Sequence, residues 1–384
     1  MRVASRATSV PPYMFAELDR KIEEKRAAGV DVISLGVGDP DHPTPRHVVE
    51  ALQEAAEDPS THRYPSYFGL PALRRAIAEW YRGRFGVELD PDTEVQPLIG
   101  SKEGLAHLSW AFIDPGDEAL CPDPGYPVPA VSTVMAGGTA VALPLEPERG
   151  FLPDLGSARV SPATRVLWLN HPGNPTAAVA GLPLFEKAVD LAREHDVLLA
   201  HDAAYSELTY DEFVAPSVLQ VPGARDVAVE FGSLSKTYNM TGWRVGWAVG
   251  NATAIEALAT VKTNIDSGIW NAVQRAAVVA LTGPQDHLDQ LRAIYAKRRD
   301  VVVGTLNDLG WDLEPPRGAF YVWFPTREGF SSAEFSELLL ERAGVVVSPG
   351  SGYGGGGEGY VRISLTVPDD RLAEAMDRLR EALA

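Results

Sequence analysis

Cysteine is nearly absent from this chain. Its 384 residues hold one, Cys121, so no internal disulfide can form. That suits a reducing compartment, and the cytoplasm is the expected location. Basic residues are also scarce, with 34 Lys and Arg against 52 Asp and Glu and a formal charge of −18. Binding a nucleic-acid backbone calls for clustered positive charge, so no nucleic-acid partner is expected. An anionic ligand would have to be held by a locally arranged positive site. Long apolar runs are missing too. The N-terminus has no apolar stretch of the signal-peptide kind, and no run approaches transmembrane length, so no membrane partner is expected. There is no internal repeat, no heptad seam and no low-complexity tract apart from glycines near residue 355. Cys121 ends an apolar strand-like stretch and reads as packing. No metal is expected.

What is present alternates between strand and helix patterns. An irregular arm over 1–15 leads to a helix over 16–28. A short strand over 32–35 then runs into Gly36-Val37-Gly38, where glycines let backbone approach a ligand closely. Helices over 46–57 and 71–85 follow a 3.6-residue period and flank the aromatic loop His62–Gly69. Strands are expected at 95–99 (weakened by Pro97), 117–121, 139–143, 164–169, 196–201, 227–231 and 245–249. Helices at 102–113, 128–136 and 182–194 fall between them. This alternation implies an α/β protein with a largely parallel sheet. Helices follow at 252–264, 270–281 and 285–309. A compact α+β segment closes the chain: strands 319–324, 345–347 and 360–365, a helix at 332–343, the glycine-rich loop Gly350–Gly359, and a last helix with Leu372, Met376, Leu379 and Leu383 on one face.

The chemistry gathers at predicted strand ends. Asn174, Asp202, Tyr205 and Lys236 each follow a strand, so a parallel sheet would bring them to one rim. Lys236 lies among hydroxyls, and a lysine amine is the group that condenses with an aldehyde to a Schiff base. Gly100-Ser101-Lys102 opens a helix, where backbone N–H groups make either an anion site or an ordinary N-cap; the two are compatible. Taken singly, each residue has a bland alternative: a solvated lysine, a helix-capping aspartate, a turn asparagine, a packed tyrosine. The set in chain order weighs against all of these together.

These motifs resemble the pyridoxal-phosphate-dependent aminotransferases of fold type I, class I/II, over essentially the whole chain. The match rests on Ser-Leu-Ser-Lys-Thr-Tyr-Asn-Met-Thr-Gly-Trp-Arg-Val-Gly at 233–246, on Asn174-Pro175-Thr176, and on Asp202 with Tyr205. The resemblance implies an enzyme that moves an amino group from an amino acid to a 2-oxo acid, with pyridoxal 5'-phosphate as cofactor. It implies a large domain over 46–284 with a mostly parallel seven-stranded sheet between helices. Residues 285–384 would form a smaller α+β domain, to which the arm, residues 1–45, contributes. Lys236 would hold the cofactor and carry the proton, Asp202 would pair with the ring nitrogen, and Tyr205 and Asn174 would donate to the ring oxygen. Tyr126 would stack on the ring. Ser233, Arg244 and the Gly100-Ser101-Lys102 helix start would hold the phosphate. Arg362 would grip the substrate α-carboxylate in a bidentate fork, approached by the Gly36–Gly38 backbone. Tyr64, or alternatively Tyr67, would reach the phosphate of a neighbouring subunit, implying a homodimer with shared sites. Tyr13, Tyr67 and the 264–271 segment would line the side-chain pocket.

His171, Gly173 and Ala177 depart from the family pattern around Asn-Pro-Thr, which touches the loop beside the ring. His171 could respond to pH, although a packed or solvated histidine is the simpler reading. The segments at 230–240, 266–268 and 357–362 look like the LL-diaminopimelate aminotransferase branch of lysine biosynthesis, with 2-oxoglutarate and glutamate as the second pair. Aspartate, alanine or aromatic aminotransferases and a carbon–sulfur β-lyase remain alternatives.

Overall fold

The computed structural model describes residues 1–10 and 14–383. Tyr13 lies outside the described residues. The strands are β1 (Ile33–Ser34), β2 (Val95–Leu98), β3 (Glu118–Asp123), β4 (Thr139–Pro144), β5 (Thr164–Asn170), β6 (Leu198–Asp202), β7 (Ala228–Ser233) and β8 (Gly246–Gly250), followed by β9 (Tyr321–Pro325), β10 (Val345–Val346), β11 (Ser348–Pro349) and β12 (Tyr360–Ser364).

Seven strands form one sheet in the order β2-β8-β7-β6-β5-β3-β4. β3 to β7 pair in parallel, and β8 runs against both β7 and β2. This is the expected mostly parallel α/β sheet. Its strands are apolar on both faces because helices cover both. Leu167 and Leu169 pack on one side with Phe185 and Val189 of helix Leu182–His195 and with Leu73 and Ile77 of helix Pro71–Phe85. Val166 and Trp168 point the other way, toward Leu105 and Leu108 of helix Ser101–Phe112 and Leu258 of helix Ala252–Ile265. Each such fully buried side chain contributes about 1.5–3 kcal/mol. Cys121 belongs to this second core, and burial pushes its thiol up to about 12. Pro97 is accommodated because β2 is an edge strand, where a missing N–H breaks no central ladder.

A three-stranded antiparallel sheet, β11-β12-β9, has its own core of Phe320, Phe324, Phe335, Leu339, Ile363 and Leu379. Helix Ser332–Ala343 packs there, and its start is fixed by a capping box between Ser331 and Glu334. β1 pairs in parallel with β10, which ties the arm to the C-terminal segment. The 22-residue helix His287–Asp308 leads from the large sheet to this region.

Several boundaries differ from expectation. The arm carries a short helix, Ser5–Thr8, and the next helix begins at Met14. The strand expected at 319–324 starts at Tyr321, because Ala319 has a positive φ of 54° that no strand tolerates. The glycine-rich loop contains two 3-10 turns, Gly350–Tyr353 and Gly355–Gly357. Among the described residues, no helix is long and apolar enough to cross a membrane.

Candidate active site

The parallel strands point their C-terminal ends at one rim, and a cavity of about 290 Å³ opens there. Its lining includes Gly38, Ser101, Tyr126, Asn174, Asp202, Tyr205, Lys236, Tyr321 and Arg362. Asp202 is the last residue of β6. Lys236 follows β7 by one short helical turn, Leu234–Thr237, whose start is capped by Ser233 Oγ accepting from the Ser235 N–H at 3.1 Å. Asn174 is held from β5, since Asn170 Oδ1 accepts from the Asn174 N–H at 2.9 Å and Asn170 Nδ2 donates to the Asp202 carbonyl at 2.8 Å. The ends of β5 and β6 are thereby tied together, with the Lys236 turn after β7 beside them.

Arg362 comes from the other sheet, on β12, and is almost wholly buried. It donates to Asn174 Oδ1 at 2.7 Å and to the Gly36 carbonyl at 2.6 Å. Its guanidinium lies 4.0 Å from the Tyr321 ring centre and 5.0 Å from that of Tyr353. The arginine is therefore stacked as well as bonded, which a lysine could not reproduce. Lys236 Nζ donates to the Gly38 carbonyl at 2.9 Å. Gly38 tolerates no side chain, because a Cβ there would run into the Tyr321 hydroxyl.

The charges are unusual. Burial pulls the Lys236 ammonium down to about 8; Asp39 opposes this, while Arg362 and Arg244 add to it. An amine at about 8 is roughly one-tenth neutral at pH 7, which makes it a usable nucleophile and base. Burial pushes the Asp202 carboxyl up to about 6, against the pull of the Ala204 N–H, His201 and Lys236. Burial also raises the Tyr205 phenol well above its ordinary range.

Other expected residues sit around the cavity. Arg244 has a positive φ of 56° and donates to the Thr241 carbonyl at 2.9 Å. Its guanidinium lies over Gly100, where any Cβ would collide with it, so it stands at the N-terminus of helix Ser101–Phe112. Lys102 is on the exposed side of that helix. Ser233 is buried beneath the Lys236 turn and is not among the lining residues. Tyr64 is 89% exposed and Tyr67 is 48% exposed, both away from this cavity's lining. In the 264–271 segment, Asp266 and Glu103 both accept from the buried Lys262 ammonium, at 2.5 and 2.9 Å, with His107 beside Glu103. Glu103, His107 and Asp266 are metal-ligand types, but a lysine ammonium bonds to both carboxylates.

Sequence reasoning missed Tyr321, whose hydroxyl is 2.8 Å from that of Tyr205. It also missed Asp39, whose charge favours the Lys236 ammonium, and Phe320, whose ring centre is 5.5 Å from Nζ. Tyr321 opens the strand Tyr321–Pro325 two residues after the left-handed Ala319, and no local sequence signal sets it apart from a packed aromatic. The departures near Asn174 are packed. Burial drives His171 down to about 3, so it stays neutral and is no switch near physiological pH. Ala177 has a positive φ of 58°, which explains why a glycine is usual there.

A sequence model described as aminotransferase class I and II matches residues 30–379. The chain is 56% identical to LL-diaminopimelate aminotransferase of Desulforudis audaxviator, over 99% of this chain and 97% of that one. It is 54% identical to the enzyme of the same name from Moorella thermoacetica, over 100% and 99%. Substrate-bound BacF from Bacillus subtilis superposes with a TM-score of 0.96 at 37% identity, covering 99% of this chain and 98% of the other. A buried amine facing an acid and an arginine at the strand ends of such a sheet has one family to which sequence and fold both point: the chain belongs to the class I and II aminotransferases.

Proposed function

We propose that this enzyme is an LL-diaminopimelate aminotransferase that uses 2-oxoglutarate as amino acceptor. The observation that carries the substrate is the identity of 56% and 54% to enzymes of that name along the whole chain. The family's cofactor, pyridoxal 5'-phosphate, suits the residues present. An aldehyde needs an amine that is partly neutral, a pyridine nitrogen needs a buried acid, and a phosphate needs donors. Lys236, Asp202 and the Arg244–Ser101 corner answer those needs in turn. When bound, the cofactor supplies a carbonyl that takes up the amino group and a ring that accepts an electron pair.

The chain's own residues do the rest. Lys236 Nζ would hold the cofactor and, once the substrate amine displaces it, would carry the proton at the substrate Cα. Asp202 would pair with the ring nitrogen and keep it protonated, and Tyr205 and Asn174 would donate to the ring oxygen. Tyr126, which lines the cavity, would stack on the ring. Ser101 and Arg244 would hold the phosphate, with Lys102 and Ser233 as further donors near the start of helix Ser101–Phe112. Arg362, held by Asn174 and the Gly36 carbonyl, would take the α-carboxylate, approached by the Gly36–Gly38 backbone. The 264–271 segment would line the side-chain end.

The assembly is a homodimer. Tyr64, Tyr67, Phe68, Ile265 and Trp270 are all exposed, and the two segments adjoin, since Trp270 Nε1 donates to the Thr61 carbonyl at 2.9 Å. Such a patch favours a partner, and Tyr64 would reach the partner's phosphate from it. The arm with residues 285–384 forms the small domain, and 46–284 the large one. The single buried cysteine supports a cytoplasmic location.

The test mixes cofactor-loaded protein with single amino acids, without any 2-oxo acid, and follows visible absorption. Conversion to the pyridoxamine form by LL-diaminopimelate and glutamate is expected. Conversion by aspartate or aromatic amino acids instead would keep the reaction and discard the substrate. Pyruvate and ammonia released from cystathionine would indicate a lyase.

A further inference from the structure

His201 and Glu230 face each other across β6 and β7, and both are fully buried. His201 Nδ1 lies 2.9 Å from Glu230 Oε2, and Nε2 lies 3.0 Å from the His171 carbonyl oxygen. A carbonyl only accepts, so Nε2 carries a hydrogen. A second proton must lie between Nδ1 and Oε2, because two bare lone pairs would repel. Glu230 also receives the Val218 N–H at 2.9 Å, the Ser217 hydroxyl at 2.8 Å and the Tyr81 hydroxyl at 2.9 Å. Three further donors stabilise the carboxylate, which leaves the shared proton on the ring.

We infer that His201 is a buried imidazolium, paired with the Glu230 carboxylate, and a positioning residue for Asp202 and for the loop that carries Asn174. Two effects follow. The Nε2–H fixes the His171 carbonyl, at the start of the loop His171-Pro172-Gly173-Asn174. The positive ring, next to Asp202 in the chain, favours the Asp202 carboxylate against the burial that would protonate it. The other charged or titratable groups around Asp202 are Lys236, Arg362, Tyr205, Tyr126 and Tyr321, which line the cavity. Around His201 the remaining groups are Tyr81, reached through Glu230, and the neutral His171, with the Phe185 ring packed against the imidazole at 4.7 Å. No other cation stands on that face of Asp202 among these groups. The arrangement lets a carboxylate persist although Asp202 is buried.

Ring-nitrogen NMR on histidine-labelled protein at about pH 9, where free imidazole is neutral, reads the proton count directly. The expected result is a ring with both nitrogens protonated, lost in His201→Gln and reduced to one proton in Glu230→Gln. Absence of such a ring from the unsubstituted protein overturns the imidazolium without any variant. The positioning role rests on the role proposed above for Asp202, and it is read by binding pyridoxal 5'-phosphate to cofactor-free protein across pH. In Glu230→Gln the acid limb of affinity should move up by about half a pH unit or more. An unmoved limb with the ring proton gone overturns the positioning role. If Asp202→Asn binds the cofactor like the unsubstituted protein, with the same acid limb, the assignment of Asp202 fails instead.

Discussion

Two buried polar groupings share the central strands of the large sheet, and they differ in how fully their charges are answered. Behind the sheet, Glu230 accepts from four donors and His201 uses both ring nitrogens. At the rim, Lys236 has one hydrogen bond among the described residues, to Gly38, and Asp202 accepts one long one of 3.3 Å from the Ala204 N–H. Both places are buried, so burial alone does not make a reactive site. Burial with bonding capacity left over does. The rear grouping is scaffold. The rim keeps an amine at about 8 and an acid at about 6, each short of partners that a ligand can supply.

Breaking the rim should far outweigh any other change. Lys236→Ala is expected to lower transamination by about 10³-fold or more while leaving the fold intact, as judged by circular dichroism and a product assay. Near-normal turnover would remove the lysine from the chemistry. Arg362→Lys comes next. It keeps the charge and loses the fork and the stack, so KM should rise about 10- to 100-fold with a smaller change in kcat. An unchanged KM would place the carboxylate elsewhere. Tyr321→Phe removes only the hydroxyl that meets Tyr205 and should reduce kcat about 3- to 10-fold. Steady-state kinetics showing no change would make that hydroxyl mere packing.

The cofactor-free protein offers a pH test of the same contrast. The Lys236 amine falls from 10.5 unfolded to about 8 folded, so between those values the unfolded state binds more protons. Stability should therefore rise as pH rises through that window. Denaturant titrations should show this rise, and Lys236→Met should flatten it while being more stable at neutral pH. A variant with the same pH slope would mean the ammonium is not held at a disadvantage. The smallest effect is expected at Ala177. Relieving its left-handed backbone with Ala177→Gly should stabilise the protein by about 1 kcal/mol, read from thermal unfolding.

The rim was largely legible in the sequence because each of its residues marks the end of a strand. Asn174, Asp202 and Lys236 could be placed together once the strand–helix alternation was read as a parallel sheet. Arg362 required the family motif, since its contact with Asn174 spans 188 residues. Tyr321 was not legible, because its partner Tyr205 lies 116 residues away and nothing local distinguishes it from a packed aromatic. The His201–Glu230 pair was hidden for a related reason. Both residues sit inside expected strands, at 196–201 and 227–231, and only the register of β6 on β7 sets them face to face. Departures from the family pattern were visible as letters, but the structure gave them causes: a buried neutral imidazole at His171 and a positive φ at Ala177.

The central claim is that the Lys236 amine is the point at which this fold holds its cofactor. Borohydride reduction of the cofactor-loaded protein, followed by peptide mapping with mass spectrometry, tests it without any turnover. The account predicts a stable pyridoxyl-phosphate adduct on the peptide containing Lys236, absent from Lys236→Ala. An adduct on another lysine, or none at all in protein shown to contain the cofactor, would contradict it.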